Sequence, residues 1–147
     1  MSLIFSKSCE YALQAILYLA RQPQGEPALL REISDSLNIP HHFLNKVLQT
    51  LTRDEIVASF KGSNGGFALG RSPKEITLSD IVRAVDGESF LDHCVLGFPA
   101  CGDKNPCPVH PQWKRAKVVI QDMIHRKTLF ELSKELDPKL ELLQQPK

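Results

Sequence analysis

The chain has 147 residues and a mass of 16.5 kDa, with 18 Lys and Arg against 17 Asp and Glu and a formal net charge of +1. That length fits one compact domain, or a small domain with an appended element, and an apolar fraction of 42% fills a modest core. A charge near zero neither advertises nor excludes nucleic acid, because binding needs a local basic face; no phosphate loop, nucleophile with a placed base or paired carboxylates points to an enzyme.

Ser6 or Ser8 offers a helix cap, and Tyr11, Ala12, Ala15, Ile16 and Leu19 follow at three- and four-residue spacings, which predicts a first helix with a wide apolar face to about Arg21. The run Tyr11–Ala20 is interrupted by Gln14 and follows Lys7 and Glu10, which fits a buried helix of a cytoplasmic protein and neither a signal peptide nor a membrane span. The Gln-Pro-Gln-Gly-Glu-Pro punctuation at 22–27 breaks it. Leu29, Leu30, Ile33 and Leu37 then resume helical spacing as far as the Asn38-Ile39-Pro40 break. From Pro40, a residue suited to a first turn, Phe43, Leu44, Val47, Leu48 and Leu51 define the apolar face of a third helix. Two short helices in succession, the second with a polar N-terminal half, match a helix-turn-helix.

Ile56–Phe60 alternates as a strand, Lys61-Gly-Ser-Asn-Gly-Gly66 tolerates positive φ, and Phe67–Leu69 returns. Three helices followed by a tight hairpin define a winged helix: mainly α, with a small β-hairpin wing. Ile76, Leu78, Ile81, Val82 and Val85 predict a further helix, capped by Thr77 or Ser79 and stopped at Gly87. This first module, residues 1–87, carries the candidate DNA contacts. His41, His42, Asn45, Lys46 and Gln49 are hydrogen-bonding types suited to base edges or phosphates in a major groove; a solvated helix face is the plainer reading. Lys61 with Ser63, Asn64, Gly65 and Gly66 forms a wing tip able to approach a backbone or minor groove, and Ser6, Lys7 and Arg71 are candidate phosphate contacts.

Residues 88–112 have no periodicity and hold three of the four cysteines, so they read as a functional loop. In a reducing compartment, clustered thiols point to metal or redox chemistry more than to structural disulfides. Six residues separate Cys94 from Cys101 and five separate Cys101 from Cys107, unlike the two-residue knuckles of most zinc sites. An iron–sulfur cluster suits the wider spacing, with a fourth position left for another group. His110, three residues past Cys107, is the first candidate; its plainer role is to cap or pack. His93 and Glu10, the latter from a second subunit, are alternatives, and Cys9 reads as a small buried hydrophobe. A zinc-stabilised interaction module that binds a protein partner, and a thiol–disulfide regulator using Cys101 and Cys107, stay open.

From Trp113, the residues Ala116, Val119, Ile120, Met123, Ile124 and Lys127 predict a long helix within residues 113–147, with only 144–147 expected to fray. Its apolar side exceeds what one small domain needs, and a second copy of the chain is the simplest cover: a homodimer that sets two reading helices on one double-stranded, palindromic DNA site.

Tyr11-Ala-Leu13, the wing Lys61–Phe67, the run Leu78-Ser-Asp-Ile-Val-Arg-Ala-Val-Asp-Gly87 and the three-cysteine loop together resemble the bacterial winged-helix regulators that include IscR and NsrR, over nearly the whole chain. The resemblance implies a dimeric winged-helix transcription factor, an activator or a repressor, with its long C-terminal helix crossing to the partner. It also implies a [2Fe–2S] or [4Fe–4S] cluster on Cys94, Cys101 and Cys107 that reports redox state, nitric oxide or cluster supply. Cys107-Pro-Val-His110 resembles the cysteine and histidine pairing of the IscR type, whereas Glu10 stands where nitric-oxide-sensing relatives offer a carboxylate from the other subunit. The first cysteine gap is one residue longer than in the IscR pattern. Lys61 stands where arginine is common, and Asn45 where some relatives carry an acidic residue that discriminates DNA sites. Relatives without a cluster, a cysteine-metabolism repressor among them, lack the three-cysteine set.

Overall fold

A computed structural model describes residues 4–63, 65–87 and 91–135. Helix α1 (Lys7–Ala20) starts at Ser6, whose hydroxyl accepts from the Cys9 amide at 3.1 Å. It buries Cys9, Ala12, Ala15, Ile16 and Leu19 along one stripe. Helix α2 (Leu30–Leu37) has its first turn tied by the Glu32 carboxylate, which accepts from the Leu29 amide at 3.2 Å. It stops where Asn38 turns left-handed, φ 55°, a conformation that Asn tolerates better than most residues. The buried Ser34 hydroxyl donates to the Ile39 carbonyl at 2.5 Å and fixes the turn into α3 (His41–Thr52). Ile16, Ile33, Leu44, Leu48 and Leu51, all but inaccessible to water, make the centre of the core.

The wing is β1 (Val57–Phe60) paired antiparallel with β2 (Gly66–Leu69), Val57 opposite Leu69 and Phe60 opposite Gly66. A third partner comes from outside the hairpin. Ala28 and Phe67 exchange both backbone hydrogen bonds at 2.8 Å, so the segment entering α2 seals the inner edge of the wing. This contact dictates Gly66: its φ is +139°, and a Cβ there would stand 2.2 Å from the Ala28 carbonyl oxygen.

A 3₁₀ turn at Pro73–Glu75 leads to α4 (Leu78–Asp86), which opens on a reciprocal cap. The Thr77 hydroxyl accepts from the Asp80 amide, and the Asp80 carboxylate accepts from the Thr77 amide at 3.0 Å. Gly87, φ 88°, ends it as expected.

Three features depart from the periodicity-based expectation. Phe43, placed on the core face of the third helix, is 48% exposed; its ring packs 4.2 Å from His42 and 6.5 Å from Tyr11, centroid to centroid. Helix α5 (His110–Arg126) begins three residues before Trp113, because Pro111 is compatible with a first helical turn. The chain then returns in α6 (Leu129–Lys134), capped by Thr128, in the stretch after Lys127 where the periodicity predicts no second helix. The Leu129 amide donates to the Ile76 carbonyl at 2.7 Å, and its side chain is fully buried in the winged-helix core. Residues 144–147 lie outside the described residues.

Leu129→Ala is therefore expected to destabilise the fold by about 2–5 kcal/mol, as for other buried leucines. Urea unfolding followed by circular dichroism measures it; an unchanged midpoint would show that α6 is dispensable to the core.

Candidate functional site

Two surfaces carry the candidate chemistry. On the first, His41, His42, Asn45, Lys46 and Gln49 all project from α3 as exposed side chains, because Leu44, Val47, Leu48 and Leu51 take the opposite face into the core. The start of α1 joins this surface: Lys7 Nζ lies 5.2 Å from the Tyr11 ring centre, Tyr11 meets Phe43, and Phe43 meets His42. Lys7 is also paired with Glu10 at 3.2 Å. Ser6, though exposed, is committed to partners within the chain: beyond its capping role, its hydroxyl donates to the Asp86 carboxylate at the end of α4, and its amide donates to the same group at 3.0 Å. At the wing, Lys61, Gly62 and Ser63 are exposed, and the Gly65 amide donates to the Gly62 carbonyl at 3.0 Å to close the turn. Gly65 and Gly66 are packed against backbone, so they shape the tip instead of presenting a surface. Asn64 lies outside the described residues. Arg71 sits at the foot of the wing, half-buried, with its Nε shielded from solvent and unpartnered.

On the second surface, the loop before α5 gathers its cysteines. The Sγ atoms of Cys94, Cys101 and Cys107 all lie within 4.8 Å of one another. Cys94 is 3.6 Å from Cys107, and Cys101 is 3.6 Å from Nδ1 of His110. Local backbone geometry makes this possible. The Gly97 amide donates to the Cys94 carbonyl at 2.9 Å, Ala100 turns at φ 56°, and Gly102 and Asn105 form a small bridge between the second and third cysteines. The Trp113 indole donates to the His93 carbonyl at 3.1 Å and pins the loop to α5. The His93 side chain is exposed and outside the thiol group, and Glu10 sits on α1 against Lys7. A cleft of about 400 Å³ lined by Phe98, Pro99, Cys101, Pro106 and Cys107 opens beside the thiols.

Tetrahedral ligands bonded to one ion at about 2.3 Å stand about 3.8 Å apart. The Cys94–Cys107 pair at 3.6 Å matches one such edge, and the three sulfurs, all within 4.8 Å of one another, form a set that could hold a metal ion; His110 Nδ1 reaches Cys101 at 3.6 Å and stands beside that set. The same thiols, with His110 beside them, would also be the residues to hold an iron–sulfur cluster, which takes thiolates and in some centres imidazoles. The donor set thus fits both.

The thiols differ in acidity. Burial raises Cys94, but amides of Phe98 and Leu96 and the thiols of Cys107 and Cys101 hydrogen-bond its sulfur and bring it down to about 7. For Cys101 the Cys107 amide acts downward, yet burial and the neighbouring Cys94 and Cys107 sulfurs prevail and raise it. Cys9 is pushed up to about 12, first by burial and then by Asp86, in keeping with an inert packing role. Sequence spacing missed Asp103. Its carboxylate, held near 2 by hydrogen bonds from Lys114 and then His110, lies 3.0 Å from His110 Nε2 and 2.8 Å from Lys114 Nζ. No periodic signal relates a loop aspartate to a histidine seven residues on; only its turn-forming neighbours mark the place.

Fold and site together define a winged-helix DNA-binding protein with a thiol-rich loop set between its reading module and a projecting helix. The Rrf2 family, whose description is iron-dependent transcriptional regulator, matches residues 5–135. The chain belongs to this family of transcriptional regulators, which are not enzymes. IscR of Sodalis glossinidius is 32% identical over 122 residues, 83% of this chain and 73% of that protein. CymR, the global cysteine regulator of B. subtilis, superposes with a TM-score of 0.75 at 27% identity, over 92% of this chain and all of that one. T. potens IscR shares the fold with a TM-score of 0.71 at 24% identity, covering 100% of this chain and 95% of that one. Among the described residues no helix is long and apolar enough to cross a membrane.

In metal-free protein, iodoacetamide is expected to alkylate Cys94 first. The rate reaches its plateau above pH of about 7 and falls about tenfold for each unit below, as the thiolate protonates. Cys9 stays unmodified until the chain unfolds. Peptide mass spectrometry across a pH series reads both; early labelling of Cys9 would contradict the assignment.

Proposed function

We propose that the chain acts as a homodimeric transcriptional regulator whose affinity for a palindromic operator is set by an iron–sulfur cluster held by Cys94, Cys101, Cys107 and His110. The observation that carries this reading is the convergence of three thiols within 4.8 Å, with an imidazole nitrogen 3.6 Å from one of them. When bound, the cluster supplies a redox- and nitric-oxide-reactive centre. The chain's own residues do the rest. His110 is both a donor and the first residue of α5, so ligation fixes the angle at which α5 leaves the loop. Along α5, Val118, Val119 and Met123 are 62%, 69% and 49% exposed, while Ile124 near the far end is buried. This unpartnered apolar face supports pairing with a second copy, which would place two α3 helices on two half-sites. The 3.6 Å approach of Cys94 to Cys107 and the compactness of the set also support a second reading, in which one zinc ion or a reversible disulfide occupies the same loop.

The test uses an operator selected from random-sequence DNA and anaerobic fluorescence anisotropy of cluster-loaded and cluster-free protein. Coupling of about five- to 150-fold in affinity is expected, lost in Cys101→Ala and Cys107→Ala. Equal affinities with and without cluster would overturn the proposal. On the DNA side, Lys61→Ala is expected to weaken operator and random DNA alike, whereas Asn45→Ala costs about 1–3 kcal/mol of discrimination at one base pair. Matching losses on both DNAs from both variants would contradict the assigned roles.

A further inference from the structure

His110 and Lys114 are one helical turn apart on α5, and the loop brings one carboxylate to both. Asp103 Oδ1 lies 3.0 Å from His110 Nε2, and Lys114 Nζ donates to the two Asp103 oxygens at 3.1 and 2.8 Å. An ionised carboxylate accepts hydrogen bonds and has none to donate, so in the neutral ring the proton of His110 sits on Nε2. The other nitrogen, Nδ1, then keeps its lone pair and faces Cys101 Sγ at 3.6 Å. The His110 side chain is only 12% exposed, and Asp103 is 70% exposed, so the carboxylate stands as an outer latch on an inner ring.

We propose that Asp103 is a positioning residue of the thiol loop: held by Lys114, it fixes the His110 ring in the orientation and tautomer that present Nδ1 to a metal shared with Cys101. Imidazole ligands are commonly aimed this way by a carboxylate on the second nitrogen, and removal of such a partner lowers metal affinity by about 10- to 100-fold. The inference rests on His110 being the fourth donor, and it adds a residue that spacing among cysteines and histidines does not reveal. An exposed pair such as Asp103 with Lys114 stabilises a fold little by itself, so its effect belongs at the ring it holds.

Two measurements test it. In metal-free protein labelled with ¹⁵N-histidine, NMR is expected to show a slowly exchanging ring N–H of His110 assigned to Nε2, present in the native chain and lost in Asp103→Ala. A ring N–H on Nδ1, its absence from the native chain, or its persistence in Asp103→Ala would overturn the proposal whether or not any metal binds. With Co²⁺ as the probe, Asp103→Ala is expected to weaken binding by about 10- to 100-fold, while Asp103→Ala adds nothing further in a His110→Ala background. An equal loss in both backgrounds would mean that Asp103 acts through the loop fold and not through His110. Failure of native protein to take up Co²⁺ or cluster would sink the metal-site reading, and the NMR result would still decide where Asp103 holds the ring.

Discussion

The burial of Ile124 and Leu129 is the attachment on which the molecule's arrangement depends. Helix α5 runs for 17 residues, yet among them only Ile124 is buried, and Leu129 just beyond its end is locked into the winged-helix core. A polar clasp accompanies this joint. His125 Nδ1 lies 2.7 Å from the Gln121 carbonyl and must donate to it; in the neutral ring Nε2 then accepts from the buried Ser79 hydroxyl on α4 at 3.0 Å. The helix is therefore held near one end by Ile124 and carries the thiol loop at the other. From α4 the contacts continue through Asp86 to Ser6, along α1 to Tyr11, and from Tyr11 to Phe43 on α3. Ser6, by capping α1 while holding Asp86, joins the helix that ends at the loop to the helix that starts beside the reading surface.

The same residue type meets two fates in this chain, and position decides which. Cys9 lies inside α1 with no water and a carboxylate nearby, and is held as a thiol. Cys94 lies in an open loop where amides and sibling thiols donate to its sulfur, which makes the thiolate available near neutral pH. The family comparison makes a related point at a larger scale. A global cysteine regulator and an IscR share this fold, so the winged helix and projecting helix do not specify the signal. In the proposed function that role falls to the loop between α4 and α5, through the donors it carries.

Much of the reading module was legible in the sequence because its elements obey short-range rules. Ser6 and Thr77 cap their helices as their types predict, Gly87 ends α4, and the apolar periods of α1 to α4 match the buried faces apart from Leu29 and Phe43, which are exposed. The wing followed from turn chemistry. The misses share a cause: contacts between residues far apart in sequence, or too short to show a period. Ala28 joins the wing through a single bridge, and α6 is six residues long, too few for a repeating stripe. Phe43 has the right spacing for the core, but the neighbouring rings of Tyr11 and His42 give it a surface niche. At the site, the three thiols and His110 were visible from residue type and spacing, while Asp103 was not, since a loop carries no register.

In the proposed function the thiol loop holds an iron–sulfur cluster. An anaerobic absorption spectrum of freshly purified protein, with iron, acid-labile sulfide and zinc assayed on the same sample, tests it most directly. The account predicts visible charge-transfer bands with iron and sulfide in matching amounts. A colourless sample free of iron that resists reconstitution, or one carrying stoichiometric zinc, would contradict it and leave the winged helix with a different tenant in its loop.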